Sequence, residues 1–131
     1  MRQHFSSKWN VSVQARKQRK YMRTAPKHVR QRLMHTNLSQ ELRDKYDRRS
    51  FPVRAGDKVK VMRGTFKGRI SKVTGLNLKS LSVYVEDVKR KKEDGKEIQI
   101  PIKPSNLQII SLEMGDKKRI KISDRKKPAK K

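Results

Sequence analysis

Between residues 58 and 112, short runs in which apolar and polar side chains alternate recur. Val59 and Val61 alternate with Lys58 and Lys60. Ile70, Val73 and Leu76 follow, and then Leu81, Val83 and Val85 alternate with Ser82, Tyr84 and Glu86. Ile98, Ile100 and Ile102 form a further alternating set, and residues 107–112 are a last run of β-formers. A period of two with β-branched side chains turns one face of each strand to a core and the other to water. Turn chemistry falls between the runs. Asp94-Gly95 separates a strand at 88–92 from one at 96–100, a hairpin pattern. Residues 64–68, with a glycine at each end, separate the first two strands, and 77–80 separate the next two. Short strands with tight turns predict a small closed β-barrel over residues 51–112. Closure would also remove open strand edges.

The pattern changes toward both ends. Pro26 suits the first turn of a helix capped by Thr24 or Ala25, with Val29 and Leu33 on one face. Ser39 can cap a second helix, in which Leu38, Leu42 and Tyr46 repeat at i+4 spacing. Residues 24–50 therefore predict two short helices packed on the barrel. Residues 1–23 carry Arg16, Lys17, Arg19, Lys20 and Arg23 around little that can form a core. They read as a basic arm without stable structure of its own. Residues 113–131 read as a basic tail, with Asp116 starting a short helix and residues 126–131 disordered until bound.

Charge narrows the class of partner. Thirty-seven Lys and Arg against 12 Asp and Glu give +25, divided as +11 on residues 1–50, +8 on 51–112 and +6 on 113–131. Such a chain repels itself, and a polyanion relieves the repulsion. Nucleic acid and an anionic membrane surface are the two candidates. No apolar run approaches the roughly 20 residues of a spanning helix. The first ten residues lack the apolar core of a signal peptide, which predicts an intracellular protein and no membrane partner. There is no cysteine, so disulfides, thiolate zinc sites and Cys nucleophiles are excluded. Only 32% of residues are apolar, so the core must be small.

The candidate chemistry is phosphate binding. Between Gly56 and Val73, two strands flank a glycine-bounded basic loop. Gly68 can adopt positive φ there, and Arg63, Lys67 and Arg69 would stand beside bare backbone N–H groups. An ordinary hairpin with solvated charges is the plain alternative. Lys89, Arg90, Lys91 and Lys92 lead into the Asp94-Gly95 turn, as an RNA-gripping hairpin or as lysines that guard a strand edge. The arm residues Arg16 to Arg23, with Arg30 and Arg32, are the strongest phosphate contacts, because Arg can donate two parallel hydrogen bonds. Trp9, Tyr21 and Phe66 offer rings for unpaired bases, or for packing within the protein. His4, His28 and His35 do not fall at metal or triad spacing, and Glu41, Asp44 and Asp47 sit among cations as local ion pairs. No cofactor, metal or catalytic residue is expected.

The loop segment resembles the KOW motif of ribosomal and transcription-elongation proteins, which sits on SH3-like barrels. Two further stretches narrow the match: Ala25-Pro26-Lys27-His28-Val29-Arg30-Gln31-Arg32-Leu33-Met34 with Leu38-Ser39-Gln40-Glu41-Leu42-Arg43, and Ile102-Lys103-Pro104-Ser105-Asn106-Leu107. In this order the three signatures resemble the universal large-subunit ribosomal protein twenty-four family, archaeal and eukaryotic type, over roughly residues 16–120. Ser71 departs from the glycine common in KOW motifs, and the tail is shorter than in eukaryotic members. The resemblance implies a mainly β fold: a small SH3-like barrel with N-terminal short helices and basic extended arms. It also implies a structural, non-enzymatic role in the large subunit of the cytoplasmic ribosome. The chain would act there as a monomer among neighbouring ribosomal proteins. It would bind large-subunit ribosomal RNA near its 5′ region, help to begin assembly and sit near the peptide exit tunnel. A KOW regulator of transcription elongation would need a second protein-binding domain, and residues 1–50 are too short and basic for one.

Overall fold

The computed structural model describes residues 4–124. Among these residues a six-stranded mixed sheet carries the core, and four α-helices attach to it or extend from it. The helices are α1 (Ala15–Thr24), α2 (Lys27–Leu33), α3 (Gln40–Tyr46) and α4 (Lys117–Asp124). The strands are β1 (His35–Leu38), β2 (Ser50–Pro52), β3 (Lys58–Val61), β4 (Ile70–Asn77), β5 (Ser82–Val85), β6 (Lys89–Lys91), β7 (Glu97–Gln99) and β8 (Leu107–Ser111).

The sheet order is β2-β1-β8-β3-β4-β5, with β6 and β7 forming a separate hairpin. Every pairing is antiparallel except β1 with β8, where Asn37 faces Gln108 and Leu38 faces Ile109. The alternation read from the sequence is what buries the core. Val59, Val61, Val73, Val83, Val85, Leu107 and Ile109 are buried and join Leu38, Phe51 and Met34 in one cluster. The fold is the β-rich one expected, but its strands do not close into a barrel. Both edges of β8 are taken, one by β3 and one by β1, so the sheet continues to β2 instead of returning to β5. On its far side β5 makes only the Val83–Ile102 bridge, through two backbone hydrogen bonds of 2.8 and 2.9 Å.

Four other expectations change. The stretch 24–50 is not purely helical, because β1 lies between α2 and α3. In β1, Thr36 and Leu38 point inward while His35 and Asn37 face out. Four residues, two of them polar, are too short a run to show as a strand. Residues 7–24 are not structureless: a 3-10 turn (Ser7–Val11) precedes the ten-residue α1. Lys, Arg, Gln, Ala and Met are strong helix formers, and the Phe5 ring meets Tyr21 at 5.3 Å to tie the turn to the helix. Ile70 in β4 and Ile98 in β7 are exposed, at 55% and 42%, and the β6–β7 hairpin buries none of its strand residues, so it stands outside the core. Leu81 takes a positive φ of 52° in the turn before β5 and is only half-buried. The expected disorder of residues 126–131 lies outside the described residues.

The tail folds back through one side chain. Asp116 caps α4, its Oδ1 accepting the Lys118 N–H at 2.8 Å. One turn on, Arg119 enters the protein with no exposed surface. Its Nη1 and Nη2 donate to Asp57 Oδ1 and Oδ2, each at 2.7 Å. Nη1 also donates to the Glu113 carbonyl at 2.8 Å and Nη2 to the Pro52 carbonyl at 3.3 Å. The guanidinium lies 5.5 Å from the Phe51 ring centre. Asp57 is equally buried and accepts two backbone N–H groups, Arg54 at 2.8 Å and Glu113 at 2.9 Å. Gly56, at φ 93°, makes the turn that aims Asp57 inward, and a Cβ there would meet Glu113 Cγ at 3.3 Å. Outside the pair, Arg54 adds an ion pair with Asp116.

Removing one partner of a buried ion pair strands the other charge. Arg119→Met is therefore expected to lower unfolding free energy by about 3–5 kcal/mol in urea titration. The double variant Asp57→Leu/Arg119→Met should recover only part of that. It leaves the Arg54 and Glu113 N–H groups without their acceptor, at about 1–3 kcal/mol each. Full recovery would show that the carboxylate does not organise the turn.

His35 sets a pH dependence. Although His35 faces out, partial desolvation of its ring by the groove around it, and then the charges of Arg32 and Arg48, push its pKa below the ordinary value. The unfolded chain thus binds the proton more readily than the folded one, so acidification costs stability. The loss begins as pH falls through about 6.5, the unfolded value. Thermal melts from pH 7.5 to 5.5, on either side of that value, should show a steeper fall for the native chain than for His35→Gln. Parallel curves would remove His35 as the source.

Candidate nucleic-acid interface

The helical geometry of α1 sorts its side chains. Positions 16, 17, 19, 20 and 23 fall on one side of a 3.6-residue helix, and Gln18, Tyr21 and Met22 fall on the other. Arg16, Lys17, Arg19, Lys20 and Arg23 are all exposed. With Trp9 and Gln14 they line a groove of about 730 Å³ between the 3-10 turn and α1. The turn is held by Gln18 Nε2, which donates to the Ser12 carbonyl at 2.7 Å. Trp9 forms one wall: Lys20 Nζ sits 4.9 Å from its ring centre, and His4 meets its edge at 5.3 Å. A cation over an indole is a favourable pair, and here it also fixes an ammonium at the mouth of the groove. Tyr21 lies on the opposite face against Phe5, so its ring is turned from the groove.

The two arginines of α2 differ. Arg30 is half-buried, and its Nη2 donates to the Arg23 carbonyl, one of the carbonyls that the end of α1 leaves free. It joins α1 to α2 while keeping other donors. Arg32 is exposed on the far side of α2, where it lines a second groove with His28, Gln31, His35, Pro52 and Ile122. His28 and Arg32 are one helical turn apart. His35 joins them only because β1 follows, so no local pattern announces that grouping.

The glycine-bounded loop takes its expected shape, with Gly64 and Gly68 at φ 92° and 90°. Its backbone is less available than expected. The N–H of Lys67 donates to the Gly64 carbonyl, that of Gly68 to Val61 and that of Arg69 to Phe66, so these donors are spent inside the loop. Phe66 packs partly against the core with the Arg69 guanidinium 5.0 Å from its ring centre. It is packing, not a free ring. Arg69 Nη1 also donates to the Asp87 carbonyl at 3.0 Å. Arg63 and Lys67 remain exposed side chains, open to solvent where these amides are not.

The β6–β7 hairpin turns at Asp94-Gly95, with Gly95 at φ 79°. Lys89, Arg90, Lys91 and Lys92 are exposed. Strand alternation puts Lys89 and Lys91 on one face and Arg90 on the other. Lys89 Nζ pairs with Glu97 Oε2 at 3.0 Å across the hairpin, a surface pair of small energetic weight. The hairpin base is anchored where the Ile100 N–H donates to the Val88 carbonyl at 3.0 Å.

The arrangement is cationic throughout. Among the described residues no group of three or more His, Cys, Asp or Glu side chains could hold a metal ion. No helix among them is long and apolar enough to cross a membrane.

Comparison with known proteins gives the same direction as the geometry. Residues 12–126 match the family described as the ribosomal proteins L26 of eukaryotes and L24 of archaea. The chain is 43% identical over 116 residues to the large ribosomal subunit protein uL24 of Methanosphaera stadtmanae, covering 88% of this chain and 99% of that protein. A match across nearly the whole chain, on a β-rich core bordered by exposed cations, is decisive: the chain belongs to the family of eukaryotic L26 and archaeal L24 ribosomal proteins.

Proposed function

We propose that this protein binds large-subunit ribosomal RNA near its 5′ region, helps to begin assembly of the subunit, and sits near the peptide exit tunnel. As a member of its family the chain is a structural, non-enzymatic constituent of the large subunit in the cytoplasmic ribosome. The observation that carries the finer reading is the α1 groove, where five exposed cations and an indole share one concave face. Such a face suits an RNA backbone. Arginine forks take phosphates in pairs, and the lysines add point charge. Arg63 and Lys67 in the loop, and Lys89 to Lys92 in the hairpin, supply separate points of phosphate contact.

In this reading the core is a rigid platform and α1 a reaching element. It acts as a single copy among neighbouring ribosomal proteins. Two or more RNA segments gathered against separate cationic elements can approach one another, because the phosphates that repel them are neutralised. That is what an early assembly protein must do. Recognition comes from the shape of folded RNA more than from base edges.

The test neutralises Arg16, Lys17, Arg19 and Lys20 to Gln together and measures binding to 5′-proximal and 3′-proximal large-subunit RNA fragments over a salt series. Each phosphate contact contributes about 0.7–0.9 to the slope of log affinity against log salt. The variant is expected to bind the 5′ fragment more weakly, with the slope shallower by about 3. Affinity and slope equal to the native chain's would remove the groove from the interface, and equal binding to both fragments would remove the 5′ preference.

A further inference from the structure

The groove between α2, the β1–β2 pair and α4 differs in chemistry from every cationic surface described above. It measures about 300 Å³ and is lined by His28, Gln31, Arg32, His35, Pro52 and Ile122. Pro52 is buried, and Ile122 packs partly against the core. They give the groove an apolar floor. Arg32 is the one permanent cation in its lining, where the α1 groove has five.

We infer that this groove receives one unpaired nucleotide of the bound RNA, its base among His28, Gln31, His35 and the Pro52–Ile122 floor and its phosphate on Arg32. The inference rests on the RNA-binding reading above. An apolar floor disfavours a bare phosphate, which needs donors on every side, but it suits the face of a base. Imidazole rings stack on bases, as aromatic side chains do where single-stranded RNA is read. Gln31 brings both a donor and an acceptor, the pairing equipment that a base edge requires. Arg32 supplies charge where the sugar–phosphate would leave the groove. The size fits as well. A groove at the lower end of small-molecule sites holds one nucleotide and excludes a duplex.

Charge supports the same assignment. Partial desolvation in the groove, with Arg32 and Arg48 nearby, disfavours the protonated form of His35. A neutral imidazole presents a ring with one donor and one acceptor and adds no cation. The walls are also held in place. Ile122 stands on α4, which the Arg119–Asp57 pair fixes to the sheet, and Pro52 lends its carbonyl to the same guanidinium. A preset groove of this kind loses little freedom on filling.

The test uses the full chain bound to large-subunit RNA. Ultraviolet crosslinking with mass spectrometry should place a nucleotide on the tryptic peptide spanning residues 33–43, which contains His35. His35→Ala should weaken RNA binding about tenfold, the scale of one lost base stack, with an unchanged salt slope. His35→Phe, which keeps a flat ring, should restore most of the affinity. Gln31→Ala, on an exposed position, should weaken binding without altering the melt and so guards against a folding artefact. Arg32→Gln should instead lower the slope by about one. A slope that falls with His35→Ala means a phosphate-only site and overturns the proposal. So does native affinity in both His35→Ala and Gln31→Ala, or crosslinks to the RNA that fall on other peptides and never on this one. Failure of the native chain to bind large-subunit RNA would overturn the RNA-binding reading itself, which is a separate result.

Discussion

The contact between Arg119 and Asp57 is the constraint on which the arrangement depends. Four pieces of chain meet at these two side chains: the turn before β3, the strand β2, the residues after β8, and α4. Each carboxylate oxygen accepts one guanidinium N–H and one backbone N–H, so the charge is paired and its lone pairs are used. That saturation of the carboxylate, with only the Arg119 Nε left unpartnered, matters more than the attraction itself, because desolvating two ions offsets much of what they gain from each other. The pair therefore acts mainly as a positional rule. An apolar side chain at position 119 would tolerate several docked positions of α4. A buried guanidinium tolerates one, the position that reaches Asp57 and the carbonyls of Glu113 and Pro52.

Around this contact the protein separates two jobs for positive charge. Arg119 is spent inside, Arg54 is committed to Asp116, and Lys89 makes only a weak surface pair with Glu97 that leaves it open to a stronger anion. Arg30 and Arg69 hold carbonyls of neighbouring elements while keeping donors free. The remaining candidates stand in water. A small core cannot accept unpaired cations, so they collect on elements that project from it: α1, the glycine-bounded loop and the β6–β7 hairpin. The self-repulsion of a +25 chain is then carried by the parts that contribute least to the core, where a polyanion can relieve it.

Much of this was legible. The period of two located β3 and β5 and named Val59, Val61, Val83 and Val85 as buried, because alternation is enforced wherever one strand face meets a core, and a run of β-formers marked β8. Asp94-Gly95 and the Gly64 and Gly68 loop announced their turns by residues that accept positive φ. Two things were hidden. Residues 35–38 became a strand because β8 offered a free parallel edge, and no local preference in His-Thr-Asn-Leu reports an edge 70 residues away. Residues 15–24 became a helix although they bury nothing. The absence of a core there said nothing about their strong intrinsic preference for helix.

The sequence alone therefore determined the chemistry: a β-rich core, a large cationic excess with no catalytic constellation, and the ordered signatures of a ribosomal-protein family. These are properties of composition and short-range pattern, and they survive any arrangement of the elements. The tertiary structure decided which charges face outward and which face each other. Arg119 looks like any other residue of a basic tail until the fold brings it to Asp57, 62 positions earlier. His28, Arg32 and His35 become one groove only when β1 and α4 have found their places. Burial and proximity are long-range quantities. They are set by which edges pair and which helix docks, and a linear pattern of side chains does not carry that information.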